Sequence, residues 1–493
     1  MLKAALTYDK GTIVIRGLAH IPFAILDPRT NVLRALALHY SNIIDYLKQS
    51  GIQYSDHVLS EETMMLSSSL SSSSPLSLRD YQQRALDNWL RAGLRGCVVL
   101  PTGSGKTILG IKAIEKANAA SLVVVPTLDL MDQWTTVLSK HFPNTRIGNL
   151  GGGNDDIQSI TVSTYDSAYI RAPFLGNKFS LVIFDEVHHL AALGYRTIAE
   201  QMAAPFRLGL TATIEREDDL HKDLPRLVGE IVFQASPDEL ARDKHLASYE
   251  IERRTVEMLP NELEEYRRNM STYQQCMKKL NFQRYAIPLE KLIIMSGRNR
   301  TAREALLSRN KAMNVALNSR AKIEELREIL AENKGVKTII FTQHNSLVHE
   351  ISDKFLIPLI THKTIKEERQ DVLKGFKEGR YMAIVTSKVL DEGVDIPDAE
   401  LGIILSGTGS AREFIQRLGR LLRPRPNNNN NSVSSSATSS NYKEDYKKAR
   451  LIEIISSETK ETVTSAKRKR ALNIMRSNHN YDHAKEEMKR KSV

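Results

Sequence analysis

Short runs of β-branched and aliphatic residues alternate with longer helical patterns twice along this chain, and such alternation folds as a parallel sheet covered by helices. The first series holds Cys97 to Leu100, Leu122 to Val125, Ile160 to Val162 and Leu181 to Phe184, and the second holds Thr338 to Phe341, Met382 to Val385 and Leu401 to Leu405. Strands buried on both faces read as unbroken apolar runs, which is how these read. At 493 residues the chain is too long for one hydrophobic core, because cores stop growing near about 250 to 300 residues. The expectation is an α/β chain with two parallel-sheet domains in tandem.

The flanks divide the rest. Residues 1–62 read as a small N-terminal α+β module, with a strand at Thr12 to Ile15 and a helix through Val32 to Leu47. Residues 63–77 are serine-rich and cannot bury enough apolar surface to order themselves, so they read as a linker. The first α/β domain then covers 78–236 and the second 237–426, with a helical insertion at about 260–310. In that insertion Leu263, Tyr266, Met270, Tyr273, Met277 and Leu280 recur at spacings of three and four, an apolar helix face whose expected role is packing on a neighbouring helix. Arg267, Arg268, Lys278, Lys279, Arg284, Arg298, Arg300 and Arg303 offer a phosphate-contacting face. Residues 427–441 are Asn/Ser-rich and expected to be disordered. Residues 442–493 carry Lys467 to Arg470 and Lys489 to Lys491, and read as a basic tail with at most short structure, either solvated or touching nucleic acid.

Composition narrows the function classes. A hydrophobic fraction of 41% and a charged fraction of 26% are those of a globular protein. No apolar run reaches membrane-spanning length, and Tyr8, Asp9 and Lys10 break the apolar N-terminus where a secretory signal would continue. The expected location is the cytoplasm, at the nucleoid, or the nucleus if the source is eukaryotic. Cys97 and Cys276 are the two cysteines and cannot supply a four-ligand metal site on their own. A formal net charge of +11 favours a polyanionic partner, since basic side chains facing phosphates release condensed counterions.

One segment is specific. Cys97-Val-Val-Leu-Pro-Thr-Gly-Ser-Gly-Lys-Thr107 puts a buried strand, a glycine-bearing loop and a helix start in immediate succession. A triphosphate needs that order: Thr102, Gly103, Ser104 and Gly105 present backbone N–H groups, the helix N-terminus adds positive partial charge, Lys106 reaches the β/γ phosphates and Thr107 ligates Mg²⁺. ATP and Mg²⁺ are the implied cofactors. The run Leu181 to Phe184 delivers Asp185-Glu-Val-His188 at its carboxyl end, the edge where α/β sheets bind ligands. Asp185 suits magnesium through water, and Glu186 suits the general base that activates the attacking water. His188 reads as a link to the neighbouring domain and His189 as an ordinary helix-start residue.

With this loop before it, Asp-Glu-x-His resembles the superfamily 2 helicases, and the family's remaining motifs follow in order. Leu78-Arg79-Asp-Tyr-Gln82 resembles the Q-like motif, which implies that Arg79 and Gln82 contact adenine. Thr211-Ala-Thr213 resembles the motif that couples hydrolysis to domain motion. Thr386 through Gly393 to Asp395 resembles motif V, which contacts both nucleic acid and nucleotide, and Gln416-Arg-Leu-Gly-Arg420-Leu-Leu-Arg423 resembles motif VI. Arg420 and Arg423 lie three apart on one helix face, so both can reach a transferring phosphate as arginine fingers. Arg216-Glu217-Asp218, just after Thr-Ala-Thr, resembles the triplet of XPB-type helicases, and the chain looks like the archaeal members of that family.

The resemblance covers 78–425 strongly and implies two RecA-like domains, a helical thumb at the insertion, a damage-recognition-like N-terminal module and DNA-stimulated ATP hydrolysis with 3′ to 5′ polarity. The triplet is implied to act in strand opening. Also implied are single-strand/double-strand DNA junctions as substrate, a structure-specific nuclease as partner and no membrane, and the expected motor is a monomer. Thr127, Thr164 and Thr386 are expected along the DNA backbone. The Asn/Ser-rich segment departs from the family. An RNA helicase or remodelling translocase shares this core, and a nucleic-acid scaffold without turnover is the alternative of another class. The intact set Lys106, Asp185, Glu186, Arg420 and Arg423 disfavours the latter.

Overall fold

The computed structural model describes residues 3–59, 63, 76–216, 218–242, 249–280, 289–387, 399–406 and 449–466. The chain forms two compact units that part at Leu240.

The N-terminal module is a mixed sheet of β1 (Lys3–Asp9), β2 (Thr12–Arg16), β3 (Ala24–Asp27), β4 (Val32–Leu36) and β5 (Gln53–His57) in the order β3-β4-β2-β1-β5. Helix α1 (Tyr40–Gln49) covers it, with Ile43 and Leu47 packed on Leu6, Ile13, Ile15 and Leu33. The expected helix from Val32 therefore begins only at Tyr40. Over a run as short as Val32–Leu36 the helical and alternating periods are hard to tell apart. Antiparallel pairing of Ile13 with Ala35 and Ile15 with Leu33 settles it by burying both residues of β4. Of the expected linker, Thr63 is described, and its carbonyl accepts from Ser180 Oγ at 2.8 Å and Ala120 N at 3.3 Å.

The first large sheet holds β6 (Arg95–Val99), β7 (Ser121–Val125), β8 (Ile147–Gly151), β9 (Asn154–Asp155), β10 (Ile160–Thr164), β11 (Leu181–Asp185), β12 (Phe206–Thr211) and β13 (Ile231–Gln234), ordered β13-β6-β12-β11-β7-β10-β8-β9. Its ladders are parallel except β8 with β9. Helices α2 (Asp80–Arg91), α3 (Lys106–Ala117), α4 (Leu128–His141) and α5 (Tyr165–Leu175) supply its crossovers and cover. β7 and β11 are buried along their whole length, as unbroken apolar runs require. The module rests on this domain through Tyr8, whose hydroxyl lies 3.0 Å from the carbonyl oxygens of Pro173 and Gln201.

The second unit has a parallel sheet of β14 (Tyr249–Val256), β15 (Thr338–Phe341), β16 (Leu359–Ile360), β17 (Ala383–Thr386), β18 (Leu401–Ile404) and β19 (Ala449–Ser456), ordered β14-β19-β18-β15-β17-β16. β19 corrects the sequence expectation. It lies in what read as a basic tail from 442, yet it is buried between β14 and β18 and pairs with β14 from Tyr249↔Ala449 to Val256↔Ser456. Its apolar run is split by Glu453 and flanked by lysines, which hid it. Glu453 is neutralised in place by Arg253 at 2.9 Å.

The helical insertion comprises α6 (Pro260–Lys279), α7 (Leu289–Ser296) and α8 (Arg300–Leu317), followed by α9 (Arg320–Glu332). The apolar stripe of α6 does what its spacing predicts: Tyr266 and Met270 pack on Ala312 and Ala316 of α8, and Cys276 packs on Ala302 and Ala305. Two long helices can approach closely there because α8 presents alanines. Residues 427–441 and Arg284 lie outside the described residues. No helix among the described residues is long and apolar enough to cross a membrane.

Candidate active site

β6 ends at Val99, and the chain must turn from strand to helix within Leu100–Gly105. Gly103 and Gly105 stand at φ +82° and +80°, a region where a side chain is strained. Gly105 has a second reason to lack one: a Cβ there would meet Gln82 Nε2 at 2.5 Å. Ser104 is buried with its hydroxyl on Pro101 O at 2.6 Å, which tightens the loop.

Gln82 braces this loop from α2. Its Oε1 accepts from Arg79 N at 2.9 Å and its Nε2 donates to Ser104 O at 2.8 Å, while Tyr81 donates its hydroxyl to the same carbonyl at 2.6 Å. Gln82 is 4% exposed, so in this structure its amide serves the phosphate loop, a task the sequence did not suggest. Lys106 and Thr107 open α3. Lys106 Nζ donates to Leu100 O at 3.2 Å and lies 3.9 Å from Glu186 Oε1. Among the described residues Thr102 Oγ1 is buried without a hydrogen-bond partner.

Two strands away, β11 delivers Asp185, which is 5% exposed. Burial, then the neighbouring Glu186 charge, pushes its carboxyl above the ordinary range, against the pull of Lys106 and of its hydrogen bonds. Its Oδ2 accepts from Trp134 Nε1 at 2.8 Å and its Oδ1 from Glu186 N at 3.0 Å. Glu186 stands at φ +48°, strained for a residue with a side chain, and opens the turn Val187–His189. That backbone turns its carboxylate inward. Its Oε2 lies 3.3 Å from Thr211 Oγ1 and 3.5 Å from His188 Nδ1.

His188, fully buried, bonds Thr211 Oγ1 at 3.0 Å, so its Nδ1 tie is made inside the first domain. Thr211, at the end of β12, also hydrogen-bonds Thr213 through both the carbonyl (2.7 Å) and the amide (3.2 Å). Arg216 donates Nη1 to His188 O at 2.8 Å and forks onto Asp218 at 2.9 and 2.6 Å, which holds the Asp218 carboxyl down at about 2. Phosphate loop, acidic pair, Thr-Ala-Thr and the start of the charged triplet are thus one hydrogen-bonded and ionic network at the carboxyl edge of a single sheet.

Other candidate residues have different surroundings. Thr127 and Thr164 cap α4 and α5, accepting from Leu130 N at 3.2 Å and Ser167 N at 3.3 Å. Thr386 ends β17, fully buried, with its hydroxyl on Ser387 O at 2.9 Å. Glu217, Gly393, Asp395, Gln416, Arg420 and Arg423 lie outside the described residues. Sequence reasoning missed Trp134. It is fully buried, and Gly110 of α3 lies so near that a Cβ there would come within 2.5 Å of its ring. The signal was available: Met131, Trp134 and Leu138 form an apolar stripe, and a buried indole needs an acceptor.

The donor set fits magnesium. Among the described residues no group of three or more His, Cys, Asp or Glu is placed to hold a metal ion. Mg²⁺ does not require one, because it binds through one or two protein oxygens plus substrate phosphates and waters. Asp185, a buried carboxylate with no cationic partner in hydrogen-bonding distance among the described residues, and Thr107 match that pattern.

Comparison with known proteins agrees with this architecture. Three family profiles match: Type III restriction enzyme, res subunit, over residues 75–216; Helicase conserved C-terminal domain over 321–425; and Xeroderma pigmentosum group B helicase damage recognition domain over 6–58. Two RecA-like domains with this site make the chain a helicase of superfamily 2. It is 42% identical to DNA 3'-5' translocase XPB2 of Sulfurisphaera tokodaii across 85% of this chain and 93% of that one. The chain belongs to the XPB-type helicases. It is also 30% identical to DNA 3'-5' helicase XPB of Mycobacterium tuberculosis, across 71% of this chain and 58% of that one. Identity to the general transcription and DNA repair factor IIH helicase/translocase subunit XPB/SSL2 of Saccharomyces cerevisiae is 27%, across 70% and 39%.

Proposed function

We propose that this chain is an ATP-driven motor that moves 3′ to 5′ along DNA and opens duplex at single-strand/double-strand junctions. The observation that supports it most is the convergence of Lys106, Asp185, Glu186 and Thr211 at one sheet edge beside a glycine-formed phosphate loop. In this reading the loop amides from Thr102 to Gly105 and the Lys106 ammonium hold the phosphates, while Arg79 and Gln82 flank adenine. Thr107 and Asp185 would hold Mg²⁺, which supplies charge neutralisation on the phosphates when bound. Glu186 takes the proton from the attacking water. Arg420 and Arg423 of the second domain, with Gln416 before them, neutralise charge on the transferring phosphate, and Gly393 and Asp395 face the nucleotide.

Thr211, tied to Glu186 and His188, carries the state of the site toward Arg216, Glu217 and Asp218. The N-termini of α4 and α5, at Thr127 and Thr164, and the end of β17 at Thr386 grip the DNA backbone without reading sequence. The motor acts as a monomer at the nucleoid, with a structure-specific nuclease as partner.

An ATPase assay of wild type and Glu186→Gln with single-stranded DNA, duplex DNA, a forked junction and RNA tests the engine and its track together. DNA should stimulate the wild type more than RNA does, with the fork most effective, and Glu186→Gln should be silent. Equal stimulation by RNA, or wild-type turnover in the variant, would overturn the reading.

A further inference from the structure

The peptide that joins Asp185 to Glu186 is held on both sides. Its N–H donates to Asp185 Oδ1 at 3.0 Å, and its carbonyl accepts the hydroxyl of Tyr165 at 3.1 Å. Tyr165 opens α5, directly after β10, and is 2% exposed. β10 and β11 flank β7, so the hydroxyl reaches past the end of one strand to arrive at the acidic pair.

That peptide decides where the Glu186 carboxylate points. Glu186 stands at φ +48°, a value unfavourable for a residue with a side chain, and φ is fixed by how the preceding peptide plane is turned. Relaxing to an ordinary negative φ would rotate this plane and break both of its hydrogen bonds, or else swing the carboxylate away from Thr211 Oγ1 and His188 Nδ1. The hydroxyl that opposes this is itself locked. The Tyr165 ring lies 5.3 Å from the Tyr195 ring and 5.7 Å from that of His189, centre to centre, and His189 lies 4.4 Å from His188. Tyr195 in turn donates its hydroxyl to Asp166, in the first turn of α5, at 2.6 Å. A buried tyrosine hydroxyl needs an acceptor, and many carbonyls of a core would serve. Here it takes the one between the two carboxylates.

We infer that Tyr165 is a positioning residue for ATP hydrolysis: through the Asp185 carbonyl it holds the strained turn that aims the Glu186 carboxylate. The inference rests on the role given to Glu186 above, and it assigns to the reaction a residue that none of the sequence motifs brings forward. Tyr165 acts on aim and not on nucleotide binding, because the phosphate loop and Lys106 follow a different strand, β6. A general base must sit within hydrogen-bonding reach of the water it deprotonates, so a small error of aim is costly.

The test uses Tyr165→Phe in the full chain, which keeps the ring and its packing and removes only the hydroxyl. Single-turnover hydrolysis of bound ATP should slow by about 10 to 100-fold, the range that a misplacement of about 1 Å reaches, while ATP affinity in a nucleotide titration stays at the wild-type value. The matched comparison is Tyr8→Phe, which takes a tyrosine hydroxyl from a main-chain carbonyl at the other end of α5 and should hydrolyse ATP as the wild type does. In a Glu186→Gln background, Tyr165→Phe should slow the residual rate no further, because a residue acting through Glu186 has nothing left to aim. Wild-type rates in Tyr165→Phe, an equal loss in Tyr8→Phe, or the full loss repeated in the Glu186→Gln background would each overturn the inference. So would ATP affinity that weakens in step with the rate. Wild-type turnover by Glu186→Gln alone would instead overturn the role of that carboxylate, and this inference with it.

Discussion

The two large sheets bury charge in opposite ways. In the second, Lys322 and Glu461 meet at 2.7 Å, with Lys322 also donating to Leu405 O and Glu461 accepting from Ser456 N, and Arg253 closes on Glu453 at 2.9 Å. In the first, Asp185 and Glu186 stand side by side, and among the described residues the Lys106 ammonium comes no nearer to Glu186 than 3.9 Å. The first sheet can also bury charge safely: Arg207, fully enclosed, gives its guanidinium to the carbonyls of Ala199, Met202, Ala204 and Leu227. Burial of charge alone is thus no sign of a site. What distinguishes the carboxyl edge of the first sheet is like charge that has no close counter-ion among the described residues, an arrangement that a nucleotide-bound cation would complete.

The largest effect that follows is at Glu186. Replacing it by Gln removes the general base while keeping shape, so kcat should fall by about 10² to 10⁴-fold with ATP still bound in a nucleotide titration. Retained turnover would mean that the paired carboxylates are not a catalytic arrangement. The matched pair should respond in stability instead. Lys322→Ala strands a buried carboxylate and should cost about 3 to 5 kcal/mol, read as a lowered denaturant midpoint of the second unit. The double variant Lys322→Met/Glu461→Leu should recover part of this but not all, because Leu405 O and Ser456 N lose their partners. If Lys322→Ala abolished hydrolysis at full stability, the contrast between scaffold charge and site charge would fail.

The amino-acid sequence shows why one half of this contrast was legible and the other was not. The phosphate loop and the acidic pair are local: strand, turn and catalytic residues sit within a few positions of each other, so Lys106, Asp185 and Glu186 can be read directly. The pairs that hold the second sheet together are distant in sequence, Arg253 with Glu453 and Lys322 with Glu461, and no local pattern announces them. β19 was missed for that reason. Its central glutamate looks like a surface residue until Arg253 is placed opposite it. The tasks of Gln82 and Trp134 were hidden likewise, because both act across the fold on groups that the sequence presents separately. In Val32–Leu36, by contrast, the information was local but ambiguous, and only pairing with β2 decided it.

Trp134 gives a smaller effect that sharpens the first half of the comparison. Its indole is the side-chain donor on Asp185 Oδ2, and Trp134→Phe removes that bond while keeping most of the packing on Gly110. Residues that orient a metal-binding carboxylate typically change metal affinity by about 10 to 100-fold. The Mg²⁺ concentration for half-maximal hydrolysis should therefore rise by about tenfold, with kcat at saturating Mg²⁺ reduced far less. A fall in kcat with unchanged Mg²⁺ dependence would assign the indole a packing role only.

The smallest effect tests whether the N-terminal module is part of the first domain's fold or merely attached to it. α5 ends at Leu175, so the carbonyl of Pro173 has no acceptor role left within the helix. Tyr8 of β1 brings its hydroxyl to that carbonyl and to Gln201 O, both at 3.0 Å. Tyr8→Phe should then cost about 1 kcal/mol, seen as a lower denaturant midpoint of the first unit. Burial pushes the Tyr8 hydroxyl up to about 12. A group raised in the folded state stabilises it fully below its unfolded value, near 10, and loses that contribution as the pH climbs from there through 12. The difference between wild type and Tyr8→Phe should accordingly be full at pH 9 and shrink at pH 11. A difference independent of pH would mean that the hydroxyl is not held in this contact.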